Sequence, residues 1–439
     1  MKILVLSNEV WNDKINGNNV TSNWFEGMDA EFANIYASPG EPYNKCCSKY
    51  FQITDAMMAK SIISGKKAGK RIVVRNTDKT TSSDSTSSAD EEPQKLYAFL
   101  KSISGSFLRF VRELIWLWGR YNKNEMKNFI EEFQPDIIFT ERMASVKMLR
   151  LEKIVSELTN APIVAFTGDD EYSLRQINFS PFFWINRFMV RRRLRKMVKK
   201  YKIYYTLSQE QLDDYKKRFG CNMKILQKCG SFEDVYKERE IHEPIKLIYA
   251  GKFYMNRWKV LGEIANVLKD TNKDGVKAVL EIYTGDKPTK IQKKLLDDKV
   301  NSFIMGRVSQ ETLKDVYKNS DIALHVEART KRYALATRLS FSTKIIDCIF
   351  SGCAVFAYCR NDQSGWLHLK RENAAICVSN HNELEKAIKQ ICDTPDLIKK
   401  YAKMAYDCGK KCHDRVSIQK MLLNDFENVI ENSNLQFLN

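Results

Sequence analysis

The chain has 439 residues, of which 44% are hydrophobic and 28% are charged, and its formal net charge is +17. This composition excludes a disordered chain, and the length is sufficient for two domains that each bury a core. The large positive charge favours anionic partners such as nucleic acid, an anionic membrane or a phosphorylated substrate.

Short β-like runs alternate with longer helical runs along the chain, which predicts an α/β fold with parallel sheets and helices on both faces. The strands predicted in the first half are Ile3–Leu6, Ile72–Val74, Asp136–Thr140, Ile163–Phe166 and Ile203–Leu207. Those predicted in the second half are Lys246–Ala250, Ala278–Tyr283, Ile322–Val326 and Ala354–Tyr358.

The strand and helix pattern is interrupted near Glu238–Pro244, which predicts two domains, 1–240 and 243–415, followed by a last segment, 416–439. The polar stretch 78–92 predicts a disordered surface loop. The chain starts with a strand-like run and has no apolar signal region, so we expect a cytoplasmic protein.

The eleven cysteines run from Cys46 to Cys412 and form no C-x-x-C pair. Neither a disulfide framework nor a zinc site is therefore predicted, and the cysteines are expected to be reduced thiols. The spacing of the five histidines shows no metal-ligand pair, so we predict no bound metal.

The segment 187–202 is strongly basic and contains no acidic residue. Its apolar residues recur near helical spacing, which predicts an amphipathic helix with a basic face. Two interpretations stay open: a solvated helix face, or contact with an anionic membrane surface at the inner face of the plasma membrane. The apolar segment 107–119 is too short to span a membrane and predicts a buried or interfacial helix. The basic residues of 187–202 are Arg187, Arg191, Arg192, Arg193, Arg195, Lys196, Lys199, Lys200 and Lys202.

The segment 339–358, LSFSTKIIDCIFSGCAVFAY, predicts a turn, a helix and a strand in succession. Ser342 and Thr343 are typical N-cap residues, and Gly352 suits the position after the helix. The free N–H groups of the helix N-terminus and the charge of Lys344 suit a diphosphate. Asp347 lies one turn further on, where its carboxylate can accept the hydroxyls of a ribose. The alternative is an ordinary β-α-β unit without a ligand.

This segment resembles the donor-binding motif of the retaining family-4 glycosyltransferases, particularly bacterial enzymes that build capsular polysaccharides or exopolysaccharides. In that family an acidic residue five positions before the glycine holds the nucleotide ribose, which matches Asp347 and Gly352. A companion glutamate usually stands eight residues earlier, where this chain has Leu339, so the two-glutamate pattern is incomplete. The resemblance implies the GT-B fold, in which two Rossmann-like domains flank a cleft. It also implies retention at the anomeric carbon and a last helix that crosses back to the first domain.

Other segments also resemble elements of this family, and they occur along the chain in the order that the family has. The run from Tyr249 resembles the strand, loop and helix that open the donor domain, with Arg257 facing the diphosphate and Lys252 or Lys259 assisting. Backbone near Gly306–Val308 is expected to contact the nucleobase. His325 and Glu327 are candidate sugar contacts. The alternative for His325 is a core position, which is the commoner case for such a histidine. The candidate donor-binding residues are Gly17, Lys252, Arg257, Gly285, Arg307, Val308, Ser342, Thr343, Lys344 and Asp347.

The candidate catalytic residues are Asp169, Asp170, Arg257 and Lys344. Family members often have a His-Asp pair where this chain has Asp169 and Asp170, and two adjacent acids cannot face the same way. The alternative is that these acids cap the following helix. Because Arg257, Lys344 and the helix terminus can neutralise a leaving diphosphate, we predict metal-independent transfer without a separate cofactor.

The predicted function is transfer of a sugar from a nucleoside diphosphate sugar to a hydroxyl of a glycan, which is expected to be lipid-linked. This reaction would belong to cell-surface polysaccharide synthesis. An NAD-type oxidoreductase is less consistent with the sequence, because no G-x-G-x-x-G follows a first strand. A nucleic-acid partner is not predicted either, because the basic segment has few aromatic residues and no known binding module is visible.

Overall fold

The computed structural model describes residues 1–14, 20–73, 105–143, 145–232 and 235–438. The polar stretch 78–92 and the candidate residue Gly17 lie outside these ranges. Within them the chain forms two sheets, each with a mainly parallel arrangement of strands. The predicted α/β class is therefore confirmed.

The first sheet has the strand order β4-β3-β2-β1-β5-β6-β7-β8 among the described residues. Its pairs are parallel except for β3 with β4, which is antiparallel. Residues Ile3–Leu6 of the central strand β1 are apolar and fully buried, as expected for a parallel strand covered on both faces. The strands are β1 (Lys2–Ser7), β2 (Glu31–Tyr36), β3 (Cys47–Gln52), β4 (Lys70–Ile72), β5 (Ile137–Arg142), β6 (Ile163–Thr167), β7 (Tyr201–Thr206) and β8 (Met223–Ile225).

Strands β2, β3 and β8 were not expected from the sequence. In β2 the polar Asn34 interrupts the apolar run, yet its side chain is buried because it donates to the Val5 carbonyl at 3.0 Å and to the Ser7 hydroxyl at 3.1 Å. A buried polar residue inside a strand interrupts the apolar pattern from which a strand is predicted. The strand expected at Ile72–Val74 is found two residues earlier, as the short antiparallel edge strand β4.

The second sheet has the order β11-β10-β9-β12-β13-β14 among the described residues, with every pair parallel. The four strands predicted here match β9, β10, β12 and β13 to within one residue. The edge strands β11 and β14 are short or partly exposed, which weakens their apolar pattern. The strands are β9 (Ile245–Ala250), β10 (Ala278–Tyr283), β11 (Ser302–Gly306), β12 (Ile322–Val326), β13 (Ala354–Tyr358) and β14 (Ile376–Val378).

Helices cover both sheets. Those of the first half are α1 (Val20–Phe25), α2 (Asp55–Ile63), α3 (Gly105–Trp118), α4 (Lys123–Phe133), α5 (Val146–Leu158), α6 (Pro181–Met197) and α7 (Gln209–Phe219). Those of the second half are α8 (Arg257–Thr271), α9 (Lys290–Leu296), α10 (Gln310–Lys318), α11 (Lys331–Thr337), α12 (Lys344–Phe350), α13 (Ser364–Arg371), α14 (His381–Asp393), α15 (Asp396–Cys412) and α16 (Arg415–Leu438). None of the helices in the described ranges combines the length and apolar character needed to cross a bilayer.

The basic segment does not form one continuous helix. Helix α6 ends at Met197, a 3-10 turn follows, and Lys202 already lies on β7. Arg187 is buried and donates to the Asp170 carbonyl at 2.8 Å, while the guanidinium of Arg191 stacks 3.9 Å from the Tyr172 ring centre. Part of the positive charge therefore serves the fold and does not face solvent.

Helix α16 carries the chain from the second sheet back to the first. Phe426 is fully buried and its ring centre lies 6.2 Å from that of Phe139 on β5. The Asp425 carboxylate accepts a hydrogen bond of 2.8 Å from the Tyr205 hydroxyl on β7. One apolar cluster consequently contains residues of both sheets and of α16.

Replacement of Phe426 by alanine should destabilise the protein by about 3–5 kcal/mol, because it leaves a cavity between α16 and the first sheet. The midpoint of thermal unfolding measures this loss. Val416, which is 73% exposed on the same helix, provides the control, and Val416→Ala should change the midpoint little. Equal midpoints for Phe426→Ala and the unmodified protein would show that α16 does not depend on this contact.

Candidate functional site

Lys344 is the first residue of α12, and its side chain lies against the loop that follows β9. The ammonium nitrogen is 5.6 Å from the centre of the Tyr249 ring. A Cβ atom at Gly251 would lie only 2.1 Å from this nitrogen and 2.8 Å from the Tyr249 hydroxyl oxygen. Gly251 therefore leaves the space that Lys344 occupies, in agreement with the close approach that glycine permits.

Arg257 begins α8 at the end of the same loop. Met255 and Asn256 precede it with φ angles of 53° and 64°, so the chain turns sharply through left-handed backbone before the helix. The guanidinium pairs with the Glu327 carboxylate, with distances of 2.7 Å to Oε1 and 2.8 Å to Oε2. Glu327 follows directly after β12, so two neighbouring strands bring this ion pair together.

The charges of this cluster influence one another. Burial lowers the pKa of Lys344, and the positive charge of Arg257 lowers it further. Burial also lowers the pKa of His325 to about 3, with smaller contributions from Arg257 and Lys344, so this imidazole is neutral at neutral pH. For Arg257, burial acts to lower the pKa, but Glu327 together with the neighbouring Tyr249 and Tyr254 raises it above its usual value. Two partly buried cations and one buried carboxylate thus lie together at the carboxyl edge of the second sheet.

Asp347 lies one turn after Lys344, and its carboxylate is engaged with a residue that the sequence pattern does not indicate. The Lys228 ammonium is 2.6 Å from Asp347 Oδ1. Lys228 lies in the connection after β8, 119 residues earlier in the chain, and is itself nearly buried. The ion pair orients the Asp347 side chain, whose role toward a ribose stays a prediction.

The turn before α12 does not form the side-chain cap that the sequence predicts. Thr343 occupies the N-cap position without a side-chain capping bond, and the Ser342 carbonyl accepts from the Ile345 amide at 3.0 Å. Gly352 follows the helix with a φ of +77°, which confirms the predicted helix end. Neither the Ser342 nor the Thr343 side chain makes a hydrogen bond that caps α12, so a contact of both residues with the ligand stays a prediction.

The remaining donor candidates of the second half lie in the loops that follow β9, β10 and β11. A Cβ atom at Gly285 would be 3.5 Å from the Arg307 side chain, so the loops after β10 and β11 touch. Val308 lies next to Arg307, and Lys252 is exposed in the loop after β9. Because parallel strands end at the same edge of a sheet, these residues share an edge with Arg257, where α/β proteins bind ligands.

The two adjacent acids after β6 face different partners. Asp170 is buried and its carboxylate accepts from the Tyr172 and Ser173 amides at 3.1 and 2.8 Å, so it stabilises a turn. The expected helix cap is not formed, because α6 begins only at Pro181. Asp169 accepts from the Ser340 hydroxyl at 2.9 Å and so contacts the second half.

The loop between α11 and α12, which contains Ser340, makes a second contact between the two halves. Leu339 is buried, and its carbonyl accepts from the Ser208 hydroxyl at 2.8 Å. The apolar residue that stands where the family has a glutamate is therefore packed between the halves. An ion pair between Arg371 and Glu210, with 3.1 Å between nitrogen and oxygen, adds a further contact.

Glu141 at the end of β5 is a further acid that the sequence pattern does not indicate. Burial raises the pKa of its carboxyl group, and the Thr21 hydroxyl donates to Oε2 at 3.1 Å. A carboxyl group with a raised pKa is suited to proton transfer. In the sequence this residue is part of the run that continues a predicted strand, which gives no signal of a site.

No family model and no curated protein sequence matches the chain. Solved structures do match. HepE from Anabaena in complex with UDP has a TM-score of 0.60 at 11% identity, over 98% of this chain and 100% of that one. The UDP-forming α,α-trehalose-phosphate synthase from Burkholderia vietnamiensis has a TM-score of 0.57 at 9% identity, over 98% and 100% of the two chains. The pneumococcal O-GlcNAc transferase GtfA has a TM-score of 0.50 at 11% identity, over 71% of this chain and only 61% of that one. The chain therefore has the GT-B fold of two Rossmann-like domains, as the sequence predicts.

Proposed function

We propose that the protein is a glycosyltransferase that moves a sugar from a nucleoside diphosphate sugar to a hydroxyl group of a glycan. The observation that carries this proposal is the partly buried pair of cations, Arg257 and Lys344, at the carboxyl edge of the second sheet of a GT-B fold. The donor-like motif 339–358 supplies Lys344 and Asp347. Uridine diphosphate is the first nucleotide to test, because the HepE structure contains UDP.

In this proposal Arg257 and Lys344 hold the diphosphate. The cluster carries one net positive charge when Glu327 is counted, so an arriving diphosphate meets an attractive field. Negative charge grows on the diphosphate as the bond to the sugar breaks, and fixed cations in a buried place stabilise that charge strongly. These two side chains would supply this stabilisation without a metal ion.

The positions of the neighbouring residues suggest which of them would bind the ribose, the nucleobase and the sugar of the donor. Asp347, oriented by Lys228, would accept the ribose hydroxyls. The loops that contain Gly285, Arg307 and Val308 would enclose the nucleobase. His325 and Glu327 lie beside the cations and would contact the sugar, with His325 acting as a neutral hydrogen-bonding group.

The acceptor would bind on the first half of the protein. Asp169 is the better candidate of the two adjacent acids for a role near the reacting sugar, because the Asp170 carboxylate already holds a turn. Glu141 is a second candidate by position, since it lies at the end of β5, beside β6 and the loop that contains Asp169, and the raised pKa of its carboxyl group is compatible with proton transfer. Retention at the anomeric carbon rests on the family resemblance. Contacts between the halves at Leu339 and Ser340 would help to exclude water from the donor.

The acceptor is proposed to be a lipid-linked glycan of cell-surface polysaccharide synthesis, reached from an anionic membrane surface. Exposed cations of 187–202 lie beside exposed apolar side chains: Phe188 is 55% exposed, and Phe179, just before α6, is 87% exposed. Helix α3 adds half-exposed apolar residues, and Phe107 contacts Phe182 of α6 with 4.9 Å between ring centres. Cations next to apolar side chains are typical of a surface that binds at a membrane interface.

Lys344→Ala should weaken UDP binding by about 1.5–3 kcal/mol, because it removes a charge-assisted contact, and turnover should fall further than affinity. Asp347→Asn should weaken UDP and UDP-sugars alike, since both contain the same ribose. Calorimetric titration measures each affinity. Lys318→Ala and Asp315→Asn, exposed changes of the same kind on α10, are the matched controls. Unchanged UDP affinity in folded Lys344→Ala and Asp347→Asn proteins would disprove this donor site.

Gly251→Ala tests the position of Lys344 without removing its charge. The added methyl group would lie 2.1 Å from the ammonium nitrogen, so Lys344 must move and UDP affinity should fall by tenfold or more, a loss of roughly 1.4 kcal/mol. Gly105→Ala is the control, since nothing lies within 4 Å of a Cβ atom there. If Gly251→Ala binds UDP as tightly as the Gly105→Ala control, the site does not depend on this placement of Lys344.

Liposome flotation tests the membrane contact. Binding to anionic vesicles at low salt should largely disappear when five exposed cations become glutamine, since each contributes roughly 1 kcal/mol at such a surface. The five are Arg192, Lys196, Lys199, Lys200 and Lys202. The control has the same change in charge on five exposed lysines of the second half, Lys287, Lys290, Lys293, Lys294 and Lys299. Equal recovery with neutral vesicles, or equal losses in both variants, would contradict a specific membrane surface.

A further inference from the structure

Two histidines and a cysteine from separate segments meet in the interior of the second half. His368 lies on α13, Cys408 on the last turns of α15, and His413 directly after α15. The Nε2 atoms of the two imidazoles are 3.1 Å apart, and Cys408 Sγ is 4.0 Å from His368 Nε2. All three side chains are buried, and their three donor atoms lie within 4.8 Å of one another.

These separations fit a common metal ion. Zinc in proteins is bound tetrahedrally at about 2.0–2.1 Å by imidazole nitrogen and about 2.3 Å by thiolate sulfur. Tetrahedral geometry then places two nitrogens about 3.3 Å apart and a nitrogen and a sulfur about 3.6 Å apart. The observed distances of 3.1 and 4.0 Å lie close to these values, so small side-chain movements would complete the arrangement.

Cys412 can provide a fourth ligand. It lies one helical turn after Cys408 on α15, so the two side chains share a face of the helix. Their thiols are hydrogen-bonded to each other. Cys412 is only partly buried, unlike the other three residues. Two thiols and two imidazoles form a donor set that is typical of structural zinc sites.

The sequence pattern does not indicate this cluster. The C-x-x-x-C-H spacing of Cys408, Cys412 and His413 lacks the short C-x-x-C pair of familiar zinc motifs, and His368 lies 40 residues before Cys408. Among the described residues, this is the cluster whose three His, Cys, Asp or Glu donors lie close enough to share an ion.

We propose that His368, Cys408, Cys412 and His413 bind a structural zinc ion. The ion would tie α13 to the end of α15 at the point where the chain turns back toward the first sheet. Here the His413 carbonyl accepts from the Gly230 amide at 2.8 Å. The ring of Phe341, in the loop before α12, is 5.2 Å from that of His368. The site would thus support the loop that precedes Lys344 without taking part in glycosyl transfer.

The first test is the metal content of the full-length protein, purified without a histidine tag after growth with added zinc. Mass spectrometry of the acid-digested protein should find about one zinc per chain. Cys408→Ser and His413→Ala should reduce zinc to the background of the preparation. Cys377→Ser and His381→Ala, which change the same residue types elsewhere in the second half, should retain it.

The second test does not depend on the folding of variants. The unmodified protein, stripped with a chelator, is titrated with Co²⁺, and we expect the intense visible bands of tetrahedral cobalt with thiolate-to-cobalt charge transfer in the near ultraviolet. Zinc should then abolish both signals. Background zinc in the purified protein together with no tetrahedral cobalt spectrum would overturn the proposal. Because UDP binding is measured separately, failure of the zinc site leaves the donor site untouched, and the reverse also holds.

Discussion

Two partly buried cations, Arg257 and Lys344, lie near each other at the carboxyl edge of the second sheet, and much of the surrounding structure serves to place them. Removal from water is the larger cause of the lowered pKa of Lys344, and repulsion by the like charge of Arg257 lowers it further. Glu327 offsets the charge of Arg257, and the neutral His325 adds no further positive charge. Gly251 leaves the space that the Lys344 side chain occupies, and the left-handed turn at Met255 and Asn256 positions Arg257 at the start of α8. An anionic ligand is what such an arrangement stabilises.

The loop 339–343 links this cluster to the first half of the protein. Leu339 and Ser340 contact Ser208 and Asp169 across the two halves, and Lys344 follows a few residues later. The ion pair between Asp347 and Lys228 adds a further contact with the segment that follows β8 of the first sheet. In the proposed function, donor binding and contact between the halves therefore share one short segment. A ligand that shifts Lys344 or Asp347 would also bias the relative position of the halves.

Local sequence pattern predicts the parts of the fold that depend on local chemistry. The central strands of both sheets are apolar runs, and the turn and helix around Lys344 have recognisable cap residues, so both were predictable. The edge strands β8, β11 and β14 and the strand β2 were not, because partial exposure or a buried polar residue such as Asn34 breaks their apolar pattern. The sequence does not predict Lys228, Glu141 or the cluster around His368, because the partners of these residues are distant in sequence. The sequence of the basic segment predicts a helix with a charged face. In the structure some of these cations contact the protein, because Arg191 stacks on Tyr172 and Arg187 donates to the Asp170 carbonyl.

A crystal structure of the protein with UDP tests the central claim most directly. The account predicts that the diphosphate lies between the Lys344 ammonium and the Arg257 guanidinium, that Arg257 turns at least partly from Glu327 to the phosphate oxygens, and that the ribose contacts Asp347. Density for UDP at another place, with the pair between Arg257 and Glu327 unchanged, would contradict it.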